Sequence, residues 1–400
     1  MNNLFRRFIE NYSRRKKIIE SDGIKSYLLN TSGYILLIVL IISAFLASFT
    51  SDFFFQTSIY ISSLKRTRAN LECEYMGISG FEIAKAIIEI DRLGMSTGFL
   101  PNLNNNRNID SYMDIWALDF PEFPILDGTI KISIEDENSK ININALISEF
   151  APSTKYYGIL QRFFVNMGLP MDIADAIIDW IDPDDSRFPY GAESSCYYQT
   201  LSPPYRAKNA PADSIDELLL VKGITPEIFY GLGGGNYGLE KNLVEHNKGN
   251  ITLPEEKLED LNAHPVNMPE DDNEPPMAGK EQDRRLDKYL RVHGEWMQYP
   301  DESSKININT ASYRVLISLT DDISEETVQE IIKKRNLEPF KTVDEISAFT
   351  GKGNTVNSLL TVKSHIFKIT ITSANLNGRY KSVYYYDRDN KKILYCSGEY

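Results

Sequence analysis

An uninterrupted apolar run near the N-terminus constrains this chain more than any other feature. No charged residue lies between Lys25 and Asp52, and the stretch 33–51 is almost wholly apolar. As a helix it would extend about 28 Å at about 1.5 Å per residue, close to the thickness of a bilayer core. Apolar residues cover every side of this helix, which disfavours a buried core helix. A cleaved secretory signal is also disfavoured, because no small-x-small cleavage site precedes Asp52. We therefore predict that residues 34–52 span a membrane.

The distribution of charge predicts the orientation of that segment. The chain has 400 residues and a formal net charge of −13; residues 1–32 carry +4, so −17 remains for the rest. The basic flank places the N-terminus in the cytoplasm by the positive-inside rule, although Lys65, Arg66 and Arg68 on the other flank weaken this assignment. The acidic body would repel nucleic acid and suits partner proteins or cations.

The helix does not end with the apolar run. No proline occurs between Asp52 and Leu93, and apolar residues continue at helical spacing. We predict one long helix that stops near Gly94, with Gly77 and Gly80 as candidate bends. The apolar positions are Ile59, Leu64, Leu71, Ile78, Phe81, Ala84, Ile87 and Ile88.

Strand patterns occur at both ends of the remaining sequence. Apolar and polar residues alternate over 126–134, and again over 366–373, 379–386 and 392–397, where short polar connections indicate an antiparallel meander. We predict an α+β fold in which 53–145 and 365–400 form one domain around the long helix. The residues between them would be a large, mostly helical insertion.

The insertion contains an imperfect repeat. Glu135–Ala145 resembles Pro300–Thr310, and Ser214–Leu218 resembles Thr342–Ile346. The second pair has Ser or Thr three residues before Glu, the signature of a capping box at a helix start. Most of these asparagines and glutamates therefore serve turns and caps. The predicted halves are 146–232 and 301–364, and the glycine-, proline- and acid-rich stretch 233–300 is predicted to be a flexible linker.

One acidic cluster could bind a hard cation. Pro183 would end a helix within Asp179–Asp185 and leave several carboxylates in a loop, an arrangement that suits calcium. The glycine of an EF-hand loop is missing, and helix termination with solvated charge is the alternative that the residues alone favour. The candidate metal ligands are Asp182, Asp184, Asp185 and Glu193.

Other chemistry finds little support. No nucleophile, base and acid form a local signature, and Gly233–Gly238 matches GxGxxG without the preceding strand that a nucleotide site needs. The three cysteines, Cys73, Cys196 and Cys396, form no CxxC, and whether two of them pair is left open. We predict that the chain is not an enzyme.

The N-terminus resembles a type IV pilin-like precursor. The basic leader 1–33 ends in Gly33, and the apolar helix starts at Tyr34. The resemblance implies that a prepilin peptidase cuts between these two residues and methylates the new N-terminus. Family members usually have glutamate as the fifth residue after the cut, where it balances a neighbour's charged N-terminus. Ile38 occupies this position here, which implies a subunit at the end of an assembly.

The body resembles the protein K family, the large minor pseudopilins of type II secretion. The resemblance implies a pilin-like α+β domain with a helical insertion, anchored in the bacterial inner membrane with its body in the periplasm. It also implies a tip subunit of the pseudopilus, with other minor pseudopilins, the major pseudopilin and secreted proteins as partners, and structural calcium in the helical domain. The matching motifs are Asp179–Asp182, Gly191–Glu193, Tyr198, Pro203–Asn209, Ser214–Gly223, Asn307–Ala311, Pro339-Phe340 and Thr342-Val343.

A membrane-anchored DNA receptor is the alternative function. Residues 307–335 resemble a helix-hairpin-helix module, which binds phosphate through a glycine-containing hairpin. The hairpin Leu319–Ser324 lacks both glycines and carries two aspartates, and counterion release cannot favour binding by a body of charge −17. We therefore predict no nucleic-acid partner.

Overall fold

The computed structural model describes residues 2–94, 107–148, 151–231, 285–293, 304–321, 323–350 and 356–400. The helices are α1 (Asn2–Arg92), α2 (Thr154–Asn166), α3 (Asp172–Ile181), α4 (Pro226–Phe229), α5 (Tyr313–Ile317), α6 (Glu325–Leu337) and α7 (Ser347–Thr350). The strands are β1 (Phe123–Ile125), β2 (Gly128–Asp136), β3 (Ile141–Asn142), β4 (Ile147–Ser148), β5 (Ala151–Pro152), β6 (Leu290–Arg291), β7 (Ile306–Asn307), β8 (Leu360–Thr361), β9 (Ile366–Asn375), β10 (Gly378–Asp387) and β11 (Lys392–Glu399). Short 3-10 helices are Ile115–Ala117, Glu137–Ser139, Ile143–Leu146, Tyr198–Thr200, Ile215–Leu220, Leu286–Lys288 and Val343–Ile346.

The first of two compact units, Met1–Ala69, is a single helical stretch. The leader predicted over 1–33 is itself helical, because α1 begins at Asn2. Apolar side chains from Tyr34 onward are exposed, as Phe45 illustrates at 69%. The hydroxyl of Thr50 donates to the carbonyl of Leu46 at 2.7 Å, which satisfies a polar group inside the apolar run. By length and composition the helix that starts at Tyr34 could cross a membrane.

In the second unit, Asn70–Tyr400, the end of α1 packs on a five-stranded antiparallel sheet. The strand order is β1-β2-β9-β10-β11, and β9, β10 and β11 form the predicted meander. Strand β2 pairs with β9, so strands distant in sequence lie side by side. The three-residue strand β1 was not predicted. The core between α1 and the sheet contains Cys73, Met76, Phe81, Ala84, Ile88, Ile130, Ile132, Ile134, Phe367, Ile369 and Ile371.

Two glycines let α1 approach the sheet closely. A Cβ atom on Gly80 would lie 2.8 Å from Cγ2 of Ile371, and one on Gly77 would lie 3.2 Å from the ring of Tyr380. Helix α1 continues through both residues. Their role is therefore close packing, and the structure gives no support to the bends predicted there.

The rest of the second unit forms a second hydrophobic core around the repeat. In each copy a two-residue strand is followed by a turn in which an asparagine side chain accepts from the amide two residues later: Asn142 from Asn144, and Asn307 from Asn309, both at 3.0 Å. Strand β3 pairs with β6 and strand β7 with β8, both in parallel. The sequence repeat is thus a structural repeat.

The predicted capping boxes lie where the sequence places them. Glu217 accepts from the amide of Ser214 at 3.3 Å, and Glu345 accepts from that of Thr342 at 3.2 Å. The segments that they begin are short 3-10 helices, because each is followed within six residues by a turn or another element.

The stretch 233–300 differs in part from the predicted linker. Most of it lies outside the described residues, but Tyr289 and Leu290 are buried in the second core, and β6 pairs with β3. The described part of the stretch, 285–293, therefore belongs to the helical insertion. Taken together, the long helix, the antiparallel sheet and the helical insertion confirm the predicted α+β fold.

Candidate metal centre

Three buried carboxylates come together in the first half of the helical insertion. Asp179, Asp182 and Glu193 each place one oxygen within 4.8 Å of the others. Their exposed fractions are 0%, 5% and 1%. Two of the predicted ligands, Asp182 and Glu193, are thus neighbours, and Asp179 joins them. The other two, Asp184 and Asp185, are exposed and lie outside the group.

Helix α3 and the loop after it build this arrangement. Asp179 lies in the last turns of α3, and Asp182 is the residue that caps its C-terminus, immediately before Pro183. The loop then folds back over the helix: the amide of Phe188 donates to Oδ1 of Asp179 at 3.0 Å, and that of Tyr190 donates to Asp175 at 3.1 Å. This return places Glu193 beside the end of the helix.

Gly191 is required for the close approach of loop and helix. A Cβ atom at this position would lie 2.0 Å from Oδ2 of Asp179, far closer than a carbon and an oxygen atom can approach without a bond. The sequence motif Gly191–Glu193 therefore combines a residue that makes room for one carboxylate with a residue that supplies another.

The motif Pro203–Asn209 holds the loop in place. The amide of Ala207 donates to the hydroxyl of Ser194 at 2.9 Å, next to Glu193. Asn209 donates from its amide to the carbonyl of Trp180 at 3.0 Å and from its side chain to that of Asp184 at 2.8 Å. The sequence predicted this motif but no role for it. In the structure the motif supports the loop that carries Glu193.

One oxygen of each carboxylate has no hydrogen-bond partner. These are Oδ2 of Asp179, Oδ1 of Asp182 and Oε1 of Glu193, all buried. Burial first, and then the neighbouring acids, raises the pKa of Asp182 to about 7 and that of Glu193 to about 8. A buried carboxylate is costly unless a proton or a cation compensates its charge. Three convergent hard oxygens without a bonding partner fit a hard divalent cation such as calcium.

A second group of acids, at the end of α1, already has a cation of its own. Asp91, Asp110 and Asp114 also lie within ligand distance of one another. There the guanidinium of Arg388 donates to both oxygens of Asp110, at 2.6 and 2.8 Å, and Ser111 donates to Asp114. Asp91 and Arg388 lie far in sequence from Asp110 and Asp114, so no local motif could have revealed the whole group.

The helix-hairpin-helix segment is closed by an arginine. Arg162 of α2 donates to the carbonyls of Ser318 and Leu319 at 2.9 and 2.7 Å and contacts Asp321 at 3.3 Å. The hairpin between α5 and α6 is therefore occupied by the protein itself. This geometry offers no support to phosphate binding.

Comparison with known families gives two matches in the helical insertion. The family described as "Type II secretion system (T2SS), protein K" matches residues 139–233 and, separately, residues 306–363. These two regions correspond to the two copies of the structural repeat. The candidate metal centre lies in the first of them.

Curated relatives carry the same name. Type II secretion system protein K of Aeromonas hydrophila is 27% identical over 34% of this chain and 45% of its own length. The protein of that name from Klebsiella pneumoniae is 25% identical over 50% of this chain and 60% of its own length. The chain thus spans about half the length of the curated relatives that it matches.

A solved structure shows the same fold. A chain of the GspK-GspI-GspJ complex from the enterotoxigenic Escherichia coli type 2 secretion system matches with a TM-score of 0.55 and 16% identity. The match covers 82% of this chain and 96% of that chain. It extends the likeness from the insertion to the pilin-like helix and sheet. In these two regions the chain is similar to the type II secretion system protein K family, and its fold is that of a chain in the solved complex.

Proposed function

We propose that this chain is a minor pseudopilin that caps the tip of the type II secretion pseudopilus. It would act as a structural subunit in protein export across the outer membrane and would catalyse no reaction. Ile38 is the observation that carries the tip assignment. It lies on the exposed surface of α1, where other pilin-like subunits place a glutamate against a neighbour's charged N-terminus. A subunit without this carboxylate cannot balance such a charge in an apolar filament. At the end of the filament there is no neighbouring N-terminus whose charge it would have to balance.

The N-terminal segment supports a temporary membrane anchor. We propose that residues 34–52 hold the subunit in the inner membrane, with the N-terminus cytoplasmic and the body periplasmic. Prepilin peptidase would then cut between Gly33 and Tyr34 and methylate the new N-terminus. The exposed apolar side chains of α1 suit both environments, because a bilayer core and a bundle of apolar helices bury the same surface.

Other pseudopilins are the proposed partners. The solved complex joins the matching E. coli protein with GspI and GspJ, and we propose two smaller minor pseudopilins of the same kind here. The major pseudopilin would follow below them, and secreted proteins would meet the helical insertion. The exposed stripe Leu71, Tyr75 and Ile78 recurs at helical spacing on α1, which suits packing against another stem helix.

Co-purification tests this assembly. The full chain would be co-expressed in detergent-solubilised membranes with candidate minor pseudopilins from the same genome, and a stable complex is expected. Ile38→Glu should leave that complex intact and allow the variant to enter the filament below the tip, measured by cross-linking to the major pseudopilin. Absence of any complex, together with DNA binding at physiological salt, would favour the DNA receptor.

We further propose that Asp179, Asp182 and Glu193 bind structural calcium. The support is their three convergent, buried oxygens that lack a hydrogen-bond partner. Bound calcium would replace mutual repulsion by attraction and would stabilise the folded protein by mass action. A chelator should therefore lower the melting temperature, and added calcium should restore it.

Variants separate calcium binding from general stability. Asp182→Asn should abolish the response to chelator, whereas Asp172→Asn, an exposed change at the start of the same helix, should keep it. Without calcium, Asp182→Asn should melt higher than the parent, because one repelling charge is gone. The calcium site would be refuted if neither chelator nor added calcium changed the melting temperature of the parent protein.

A further inference from the structure

A cavity of about 500 Å³ lies beside the β2 side of the sheet and the second half of the helical insertion. Its walls include Lys131, Ile134, Trp116, Thr310 and Arg335. This volume falls in the range of pockets that hold small ligands or a few residues of a peptide. The cavity is separate from the candidate metal centre, none of whose three carboxylates lines it.

The cation Arg335 lies in the wall of this cavity without a carboxylate partner. Its side chain, in the last turn of α6, is 7% exposed. Nη1 donates to the carbonyls of Ile308 and Ala311 at 2.7 and 2.6 Å, and Nε has no acceptor. Among the described residues no acidic side chain forms an ion pair with it, and burial lowers its pKa to about 10.

Two other buried cations in the same unit have a carboxylate partner. Arg388 is 5% exposed and donates to both oxygens of Asp110, and Lys140, equally buried, lies 2.5 Å from Glu137. An unpaired buried charge costs far more than a paired one. Unlike Arg388 and Lys140, Arg335 has no carboxylate partner among the described residues. We therefore expect its partner to be a bound ligand.

The carboxylates in the cavity wall are already engaged. Oδ2 of Asp136 accepts hydrogen bonds from Asn307, Thr310 and Ser364. Glu135 lies 3.7 Å from Lys368. Lys131, at the rim, is only loosely paired with Asp119, at 3.9 Å. The cavity wall has four basic and three acidic side chains, so its formal charge is +1.

The geometry of the guanidinium selects the ligand. Nη1 donates to two carbonyls and Nε is buried, so Nη2 is the guanidinium nitrogen left to donate to a ligand. A carboxylate oxygen accepts such a charge-assisted hydrogen bond and supplies the negative charge that Arg335 lacks. We propose that this cavity binds a carboxylate of a peptide, an acidic side chain or a chain end offered by a partner protein.

Binding of short peptides tests the proposal, on the full chain in detergent. The probes are N-acetyl-Gly-Gly-Glu with a free carboxyl terminus and its amidated counterpart N-acetyl-Gly-Gly-Gln, with affinity measured by calorimetry or by nuclear magnetic resonance. The acid should bind and the amide should bind about tenfold to a hundredfold more weakly, the loss expected for a charged hydrogen-bonded pair. Equal affinity of the two, or no binding of either at millimolar concentration, would overturn the proposal.

Variants assign the site. Arg335→Gln should reduce affinity for the acid about tenfold or more, while Lys333→Gln, an exposed change two residues away on α6, should leave it unchanged. Should Arg335→Gln fail to fold, Lys131→Gln at the rim provides the second measurement, with an expected loss of about twofold to fivefold. Equal effects of Lys131→Gln and Lys333→Gln would place binding elsewhere. Inorganic phosphate that binds as tightly as the acid would overturn the assignment to peptide carboxylates.

Discussion

The two halves of the helical insertion share one scaffold and differ in what it carries. In the first, Asn144 donates to the carbonyl of Ala212 at 3.0 Å and accepts from its amide at 2.9 Å. In the second, Asn309 makes the same pair of bonds with Phe340, at 3.0 and 2.8 Å. The chain between the bonded residues spans 68 positions in the first half and 31 in the second. The longer span contains α3 and the loop to Glu193, so the added chain carries the candidate metal centre.

The difference shows where chemistry enters a repeated fold. We call each of these asparagine–backbone pairs a clamp. Each clamp joins a turn to the backbone two residues before a capping box. The chain between the turn and the capping box can therefore lengthen without disturbing either end. Loop closure costs only about 0.6 kcal/mol for each doubling of length. The first half therefore carries an acidic group on the scaffold that the second half uses for a closed helical hairpin.

The largest expected effect comes from breaking the clamps. Asn144→Ala would leave two backbone groups of Ala212 and the carbonyl of Val292 without partners in the interior, and should lower the free energy of unfolding by about 3–5 kcal/mol. Asn309→Ala removes two such bonds and should cost about 2–4 kcal/mol. Denaturant unfolding of the full chain measures both.

An exposed asparagine provides the control for the clamps. Asn377 lies in the turn between β9 and β10, and its replacement by alanine should change stability by less than about 0.5 kcal/mol. Clamp variants that are no less stable than Asn377→Ala would show that the repeat is not held by these asparagines.

A smaller effect concerns pH and belongs to the first half alone. His293 follows β6, is 8% exposed, and lies with its ring 4.0 Å from that of Tyr385. Burial first, and then Arg291 and Lys140, lowers its pKa from 6.5 to about 4, against a weaker opposing effect of Asp213. Above pH 6.5 the histidine is neutral in both states, and its contribution to stability is complete. As the pH falls towards 4 only the unfolded chain takes up the proton, so stability should fall by about 3 kcal/mol.

His293→Phe keeps an aromatic ring in place and removes the titration. The variant should lose less stability than the parent between pH 6.5 and 4, measured as the difference between their denaturation midpoints across that range. In the second half the residue at the matching position after β8 is Lys363, which is only partly buried. Parallel pH curves for parent and variant would contradict the assignment to His293.

Local patterns predicted more of the scaffold than of the site. The helical period of α1, the three C-terminal strands and both capping boxes are short-range signals, and the structure contains all of them. Pairing of β3 with β6 was missed because proline-rich sequence precedes the second strand. A signal was present: Leu290-Arg-Val-His293 and Leu360-Thr-Val-Lys363 share their apolar positions and hold equivalent places in the two parallel pairs.

The carboxylate group was only partly predictable. Asp182 and Glu193 could be chosen because Pro183 ends the helix at Asp182 and a loop follows. Asp179 was missed as a ligand because it lies within a helix, and only the return of the loop over α3 shows that it faces Glu193. Asp184 and Asp185 have the right chemistry, but the loop leaves them exposed.

The smallest expected effects test whether the two caps are equivalent. Glu217 accepts from Lys208 at 2.6 Å and from the amide of Asp213 at 2.8 Å. Glu345 accepts from Lys334 at 2.7 Å and from the amide of Lys341 at 2.9 Å. Because each glutamate combines a cap with a partly exposed ion pair, Glu217→Ala and Glu345→Ala should each cost about 1–2 kcal/mol.

Equal losses of unfolding free energy would indicate a shared scaffold whose caps are independent of the segment that carries the candidate metal centre. Glu330→Ala, an exposed change on α6, is the control and should cost less than about 0.5 kcal/mol. A loss at Glu217 that exceeds the loss at Glu345 by more than about 1 kcal/mol would couple the first cap to its surroundings. Trp180, whose indole nitrogen lies 3.4 Å from Glu217, is the contact through which α3 would exert that coupling. Repeating both measurements with a chelator separates the alternatives, because only a cap coupled to α3 would respond to calcium.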